Sequence, residues 1–396
     1  MGDDATRRNQ ICRAAADAID GAGDLAARVT ALAGFDAFID RIIDVVDQRS
    51  APGDGGYTRI DAIDAFGARV RAAAGRSGNF ELVVRREKTG GNAALHAGAL
   101  ASMGGSVRFL GAVGETDDAT TPHPVFGAFA RACRECVCLT EPGQTDALEF
   151  DDGKIMLGKP GPLDRLTWAR LLDRAGGGSG LRERCAGVRA LVFGNWTMHR
   201  ALDDIWRRLA TEVLPALDAD ARPAMAFIDL ADPARRSDSD IAGAMRTLAG
   251  LHDIVPVTLG VNLAEAQRVA SIVGARADLP REGAPAHEAL RAAAESLRAT
   301  LGFRCVVVHG QRRSAAATDD ASASFDAPFT RRPVISTGAG DHFNAGFVLA
   351  SCLGLPLDQR LACASASAGR YVRSAQSPTR DDLLAMLRTM PAPEGA

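Results

Sequence analysis

The sequence predicts an α/β protein whose core is a mostly parallel sheet with helices on both faces, and three observations carry that expectation. Beyond residue 190, β-capable runs at 191–193, 225–230, 254–258 and 305–309 alternate with helical stretches that begin near Leu202, after Ser239 and after Asn262. That order is expected when each strand is returned by a crossover helix. Near the C-terminus a β-leaning pair, Val334-Ile335, runs into Ser336-Thr337-Gly338-Ala339-Gly340-Asp341, after which Phe343, Phe347, Val348 and Leu353 recur at helical spacing. Finally, Asp151-Asp152-Gly153-Lys154 separates two β-capable runs within 145–157, which reads as a hairpin.

The 396 residues have room for one large α/β domain with an accessory piece, or for two domains. The composition is 46% apolar with only two tyrosines and three tryptophans, as in a globular protein with closely packed helices. A net charge of −3 gives no electrostatic case for a nucleic-acid partner. No run of eighteen apolar residues marks a membrane span, and the polar start Met1-Gly2-Asp3-Asp4 does not read as a secretory leader, so a cytoplasmic location is expected. Eight scattered cysteines suit reduced thiols. Cys133, Cys136 and Cys138 offer half of a zinc site, but no second Cys or His pair stands at suitable spacing.

Taken in order, 6–29 reads as an Ala-rich helix and 31–35 as a short strand. Asp36 and Asp40 follow that strand, where open α/β sheets gather ligands. A Pro/Gly/Asp loop at 48–56, an amphipathic segment at 59–74, a loop at 75–79 and a strand at 81–86 come next. Lys88-Thr89-Gly90-Gly91-Asn92 then opens a helix of small residues; Arg85, Arg86 and Lys88 beside it read as a solvated strand end, with phosphate contact as the alternative. A strand is expected at 107–113 and a flexible loop at 176–180, where no strand feeds the glycines as a nucleotide fingerprint would require. Asn262-Leu263-Ala264-Glu265 has the spacing of a capping box. Asn195 and Asp229 follow strands, His309-Gly310 ends another, and the tail 391–396 is expected to fray.

The glycine turn at 338–340 has the makings of an anion site. First-turn N–H groups of a helix lack intrahelical partners and carry the positive end of its dipole, and Gly338 and Gly340 have no Cβ to hold a phosphate away. A carboxylate at Asp341 would repel that phosphate unless its charge has a use, and service as a general base to an acceptor hydroxyl is one. Ordinary helix capping by Thr337 or Asp341 is the structural alternative.

The stretch resembles the C-terminal signature of the ribokinase-like (PfkB) carbohydrate kinases: every position from Thr337 to Gly346 fits, and Ser336 stands where many members carry Asp. The resemblance implies a ribokinase-like domain over 30–390 with a small β lid from segments 41–90 and 145–158, preceded by a helical extension at 1–29. It implies Asp341 as catalytic base, with the backbone of Gly338, Ala339 and Gly340 as the anion hole. Sugar contacts fall to Asp40, then Asp36, and to the second signature at Gly90, Gly91 and Asn92, with Asn195 as a further candidate. Leu95 stands where many members carry Asn, which leaves the sugar contact to Asn92. Thr337, His309 and Gly310 are placed near the nucleotide, small residues at 362–369 around the adenine, and Asn262 and Glu265 toward magnesium.

The implied activity is transfer of the γ-phosphoryl of ATP, with Mg²⁺ and optionally a monovalent cation, to a hydroxyl of a sugar, sugar phosphate or nucleoside; ADP as donor stays open. A homodimer through the lid follows from the readiness of exposed lid sheets to pair. A dinucleotide-dependent oxidoreductase is the weaker rival, since Gly-x-Gly-x-x-Gly with a later acid is absent around Gly338. A non-catalytic sugar or nucleotide sensor on the same fold is opposed by the retention of Asp341, Asn262 and Glu265. No Gly-x-x-x-x-Gly-Lys-Ser/Thr occurs, which excludes a P-loop kinase.

Overall fold

Strands buried on both faces show apolar residues at nearly every position, not at alternate ones, and that pattern marks the central sheet. A computed structural model describes residues 2–52, 55–278 and 285–395. Its larger sheet contains β1 (Thr30–Phe35), β5 (Ser106–Gly111), β6 (Glu135–Cys138), β9 (Ala190–Phe193), β10 (Met225–Asp229), β11 (Val257–Asn262), β12 (Cys305–His309), β13 (Arg313–Thr318) and β14 (Ser322–Asp326). They lie in the order β14-β13-β12-β11-β10-β9-β1-β5-β6, and every pairing from β12 to β6 is parallel. Successive residues feed opposite cores. Ala31, Ala33, Val107, Phe109, Val192 and Val307 face one layer of helices; Leu32, Leu110, Leu191, Ile228, Leu259 and Val308 face the other.

A second sheet holds β2 (Phe38–Arg49), β3 (Tyr57–Arg59), β4 (Leu82–Gly90), β7 (Gly143–Phe150) and β8 (Gly153–Lys159). This is the lid. β2 is its spine, antiparallel to β3 and β4 and parallel to β7, and β7 turns back into β8 through the Asp-Asp-Gly hairpin. A small core of Ile43, Val45, Ile60, Leu148 and Phe150, joined by Phe66 of the helix Ile63–Ala72 and by Phe80, stiffens it. Only Asp36 and Ala37 separate β1 from β2, so the lid is tied closely to the first strand of the main sheet.

Several sequence expectations shift. The strand expected at 254–258 begins instead at Val257, because Pro256 has no N–H to give to a ladder. Val334-Ile335 is no strand: both N–H groups reach the single carbonyl of Val372. Residues 176–180 are no loop; Gly176 and Gly177, both at φ +75°, break one helix and start the next, Gly177–Cys185. The antiparallel edge β13–β14 carried no signal that was read. The tail is held rather than frayed, for Arg8 donates to the Pro391 carbonyl at 2.8 Å and the Glu394 carboxylate accepts from Thr330 Oγ1 and the Arg331 N–H. Gly53 and Asp54 of the 48–56 loop, and Ala396, lie outside the described residues.

The first helix ends at Asp20, short of the expected 29, and buries Cys12, Ala15, Ala16 and Ile19 against the C-terminal helices Leu357–Ser374 and Arg380–Arg388. The helix Ala339–Cys352 is buried along almost its whole length, packed against Asn92–Ser102 and Leu357–Ser374. Small residues make that possible. A Cβ on Gly346 would lie 2.6 Å from the Cys363 carbonyl oxygen and 2.9 Å from Ala364 Cα, both backbone atoms that cannot swing aside. Gly346→Ala should therefore cost about 1–3 kcal/mol of stability through overpacking, beyond the small helix-propensity gain. A thermal melt checks this, and an unchanged midpoint would mean that the two helices can part without loss.

Candidate active site

The parallel strands point their C-terminal ends toward one side, and the polar residues selected from the sequence follow those ends: Asp36 after β1, Asn195 after β9, Asp229 on β10, Asn262 on β11 and His309 on β12. Two helices, Asn92–Ser102 and Ala339–Cys352, begin at the same place. Neither has a side-chain cap of its own next to its first turn. For the first helix Asp36 fills that role from another element, its carboxylate accepting the N–H groups of Asn92 (3.0 Å) and Ala93 (2.9 Å) and the Asn195 side-chain amide (2.9 Å). Gly91 adopts φ +91°, and a Cβ there would meet Ala37 Cα at 2.7 Å and Asp36 Oδ2 at 2.9 Å, so glycine is required for the approach.

The chain of contacts ends on Asp341. Asn92 Nδ2 donates to Asp341 Oδ1 at 3.0 Å, which brings Asp36, Asn92, Asn195 and Asp341 into one hydrogen-bonded group. Asp341 is 5% exposed. Burial holds its carboxyl well above the ordinary range, and the nearby charges of Asp229 and Asp36 act in the same direction, against the Asn92 hydrogen bond. Asp229 is likewise pushed up to about 8, first by burial and then by Glu265, although it accepts from the Ala231 N–H (2.9 Å) and Asn344 Nδ2 (2.7 Å). Asp341 thus lies in a polar, acid-rich setting.

Two cavities flank the glycine turn. The larger, about 860 Å³, is bounded by Asn262, His309, Gly310, Ala339, Gly340 and Phe343 at the sheet end, by Phe329 and Arg312 on one side, and by Ser365, Ala368, Gly369 and Val372 on the other. The smaller, about 430 Å³, lies under the lid, between Asp40, Ile42, Arg86, Lys88, Glu149 and Lys154 and the segment from Val334 to Thr337. Pro333 and Ser336 line both. Asp40, buried on β2 3.9 Å from Lys88 Nζ, has its carboxyl raised by burial against the pull of Lys88. Asp36, Gly90, Gly91, Asn92, Asn195, Glu265, Gly338 and Asp341 line neither cavity and support those that do.

The turn leaves two amides without a protein partner: Gly338 sits at φ +92° and ψ −2°, and no protein acceptor among the described residues takes the N–H of Gly338 or Gly340. The Ala339 N–H closes the turn onto the Ser336 carbonyl at 3.3 Å. Glu265 forms the expected capping box with Asn262, each taking the other's N–H, and its second oxygen accepts the Asp232 N–H at 2.9 Å. Asp232 and Ala231 both hold positive φ, so Glu265 fixes a strained turn at the end of β10. Among the described residues no three His, Cys, Asp or Glu side chains converge as a metal site.

Sequence reasoning missed Glu149 and Lys154 on the smaller cavity, which nothing but the β7–β8 fold brings there, and Tyr371, whose hydroxyl donates to the Thr337 carbonyl at 3.1 Å. Leu95, the departure from the second signature, abuts Gly338: its Cδ1 would lie 3.2 Å from a Cβ at that glycine.

Comparison with known proteins agrees with this geometry. A family model described as prokaryotic ketohexokinase matches residues 6–390. A ketohexokinase of Haloferax volcanii is 32% identical over 357 residues, 89% of each chain. The fold is shared with an Arabidopsis thaliana ribokinase solved with ribose and ATP (TM-score 0.59, 17% identity, 91% of this chain and 98% of that one) and with a carbohydrate kinase from Agrobacterium tumefaciens (TM-score 0.57, 21% identity, 91% and 97%). The ribokinase-like fold expected from the glycine turn is therefore the fold observed, and the chain, a carbohydrate kinase that transfers a phosphoryl group to an alcohol, belongs to the prokaryotic ketohexokinase family.

Proposed function

We propose that this protein transfers the γ-phosphoryl group of ATP to a hydroxyl of a ketohexose. The observation that carries the reading is the segment 336–340, whose Ser336 lines both cavities while Thr337 lines the polar one under the lid and Ala339 and Gly340 line the larger one. The polar cavity suits a polyol, since Asp40 and Glu149 accept hydrogen bonds from hydroxyls while Arg86, Lys88 and Lys154 donate. The larger one has the size for a nucleotide, with the base toward Ala368, Gly369 and Val372 and the phosphates toward the helix N-terminus.

Asp341 lines neither empty cavity but follows Gly340, which lines the larger one, and its 5% exposed carboxylate would receive the proton of an attacking hydroxyl brought to the turn. The sugar oxygen bonds to the γ-phosphorus, the bond from that phosphorus to the β-bridging oxygen breaks, and ADP leaves; the N–H groups of Gly338 and Gly340 balance the charge on the moving group. Asp36 and Asn195 keep Asn92 in place, and Asn92 orients the base. Magnesium enters as part of the nucleotide substrate. With both Glu265 oxygens and the Asn262 carbonyl committed to backbone N–H groups, the donors present suit a hydrated ion carried by phosphates, with Asn262 and Glu265 shaping the wall beside it.

Three outcomes test this reading. ADP formation over a panel of ketohexoses, aldoses and nucleosides should be greatest with a ketohexose, and in that assay Asp341→Asn should lower kcat by about 10²–10⁴-fold while ATP affinity holds within about threefold; parallel loss of both would remove Asp341 from the chemistry. Because the base works only deprotonated and its carboxyl is raised, kcat should fall on acidification with a midpoint above the ordinary carboxylate value of about 4. A midpoint at or below that value would assign the proton to another group.

We also propose that the lid pairs two copies. Leu82 and Val84 on β4, an outer strand of the lid sheet, leave 45–49% of their surfaces open, and Leu157 on β8, the outer strand at the opposite side, leaves 48% open; exposed apolar side chains on outer strands are ordinarily covered. Light scattering should report a dimer that Leu82→Lys with Val84→Lys converts to monomer, and a monomeric wild type would refute the pairing.

A further inference from the structure

The glycine turn is held from behind by two aromatic side chains that the proposed chemistry does not use. Gly338 at φ +92° and ψ −2°, with the Ala339 N–H closing onto the Ser336 carbonyl, makes 336–339 a type II turn, whose third residue sits near φ +80° and ψ 0°. Types I and II differ by a flip of the central peptide, here the one between Thr337 and Gly338. In a trans peptide the C=O and N–H point in opposite directions, so fixing the carbonyl fixes the amide. The Tyr371 hydroxyl donates to the Thr337 carbonyl at 3.1 Å and so holds that peptide in one of its two orientations.

The next peptide is fixed in the same way. His342 Nδ1 lies 2.7 Å from the Gly338 carbonyl, which can only accept, so Nδ1 carries the hydrogen. Nε2 of the neutral ring is then an acceptor, and it receives the Ser377 hydroxyl at 2.9 Å. The His342 ring is fully buried and stacks on the Tyr371 ring at 3.6 Å and 13°, so the two donors move as one unit. A Cβ on Gly338 would stand 3.0 Å from the Tyr371 hydroxyl and 3.2 Å from Leu95 Cδ1, which shows how closely the unit presses on the turn.

We propose that Tyr371 and His342 are positioning residues that lock the peptides on either side of Gly338, with Ser377 setting the tautomer of His342, so that the Gly338 amide is aimed at the transferring phosphoryl group, and the turn leading to the Gly340 amide is held, before substrate arrives. The proposal rests on the kinase reading above. It deepens that reading by assigning the preorganisation of the anion hole to side chains that never touch substrate. Ground-state binding depends little on the last few degrees of an amide's aim, whereas stabilisation of developing charge depends on it strongly, so the effect belongs in kcat.

Tyr371→Phe removes one oxygen and keeps the stack; His342→Phe keeps a ring without a donor; His342→Asn returns a side-chain N–H to the position of Nδ1. The first two should lower kcat about tenfold or more, with the sugar KM and ATP affinity within about threefold, and the third should recover to within about threefold of wild type. Affinity for ADP with aluminium fluoride and the ketohexose should weaken about tenfold in the first two, with ADP alone unaffected. Unchanged kcat in both, a loss confined to KM, or an Asn variant as impaired as the Phe variant would each overturn the proposal. Should His342→Phe fail to fold, the hydroxyl deletion at Tyr371 decides alone. The ¹⁵N shifts of His342 supply a reading free of activity: the Nδ1–H tautomer is required, and an Nε2–H ring refutes the lock even in a working kinase. A wild type that forms no ADP from any sugar would instead refute the kinase reading and leave the tautomer result standing.

Discussion

The arrangement depends on one buried carboxylate that never meets a cavity. Asp36 leaves the main sheet at the end of β1 and ties together the first turn of the helix Asn92–Ser102 and the loop after β9. A fully buried acid is costly unless its oxygens are satisfied, and three donors satisfy this one. The consequence runs outward. Asn92 is fixed as the first residue of its helix, its side chain points at Asp341, and the lid begins two residues after Asp36. Removing the carboxylate would orphan two buried N–H groups and free Asn92 at once.

Around that tie the site concentrates charge of one sign. Burial raises the carboxyls of Asp36, Asp229, Glu265 and Asp341; the charges of Glu265 and Asp36 add to the rise at Asp229, and those of Asp229 and Asp36 to the rise at Asp341. What permits this is backbone: two helix N-termini meet here, and N–H groups of Asn92, Ala93, Ala231, Asp232 and Asn262 end on these oxygens. On the proposed reading, such an arrangement stores unfavourable energy where a base stronger than an ordinary carboxylate would be useful, a pattern expected where stability yields to function.

Much of this was legible before any coordinates. Regular alternation after residue 190 announced the parallel sheet because crossover helices leave a periodicity that sequence retains, and the turn at 336–341 announced itself because glycine at φ +92° has few substitutes. What escaped notice depends on long-range contact. Tyr371 reaches Thr337 across 34 residues, and Lys154 lines the cavity only because β8 pairs with β7 under the lid. Acid and amide after strand ends, at Asp36 and Asn195, are visible in the sequence, but that they bond to each other and Asp36 to a helix terminus is not. Asn262 and Glu265 illustrate the reverse, for the capping box read from spacing forms as read, and Glu265 takes on the Asp232 amide besides.

On the proposed reading, the buried histidine ring at 342 bears on how a glycine turn could serve catalysis. Glycines allow amides to approach phosphate, but the same freedom lets peptides flip, and a hole that flips loses the advantage of having its dipoles aligned in advance. A protein can answer with bulkier residues in the turn, which would close the approach, or with donors placed behind it, which leave the front open. Here the front carries Gly338 and Gly340, and the back carries Tyr371, His342 and Leu95 held against Gly338 and the peptides beside it. Permissive backbone and restrictive side chains are therefore complementary halves of one device, and most of the second half is invisible in the motif because Leu95 and Tyr371 come from two other helices and only His342 from the motif itself.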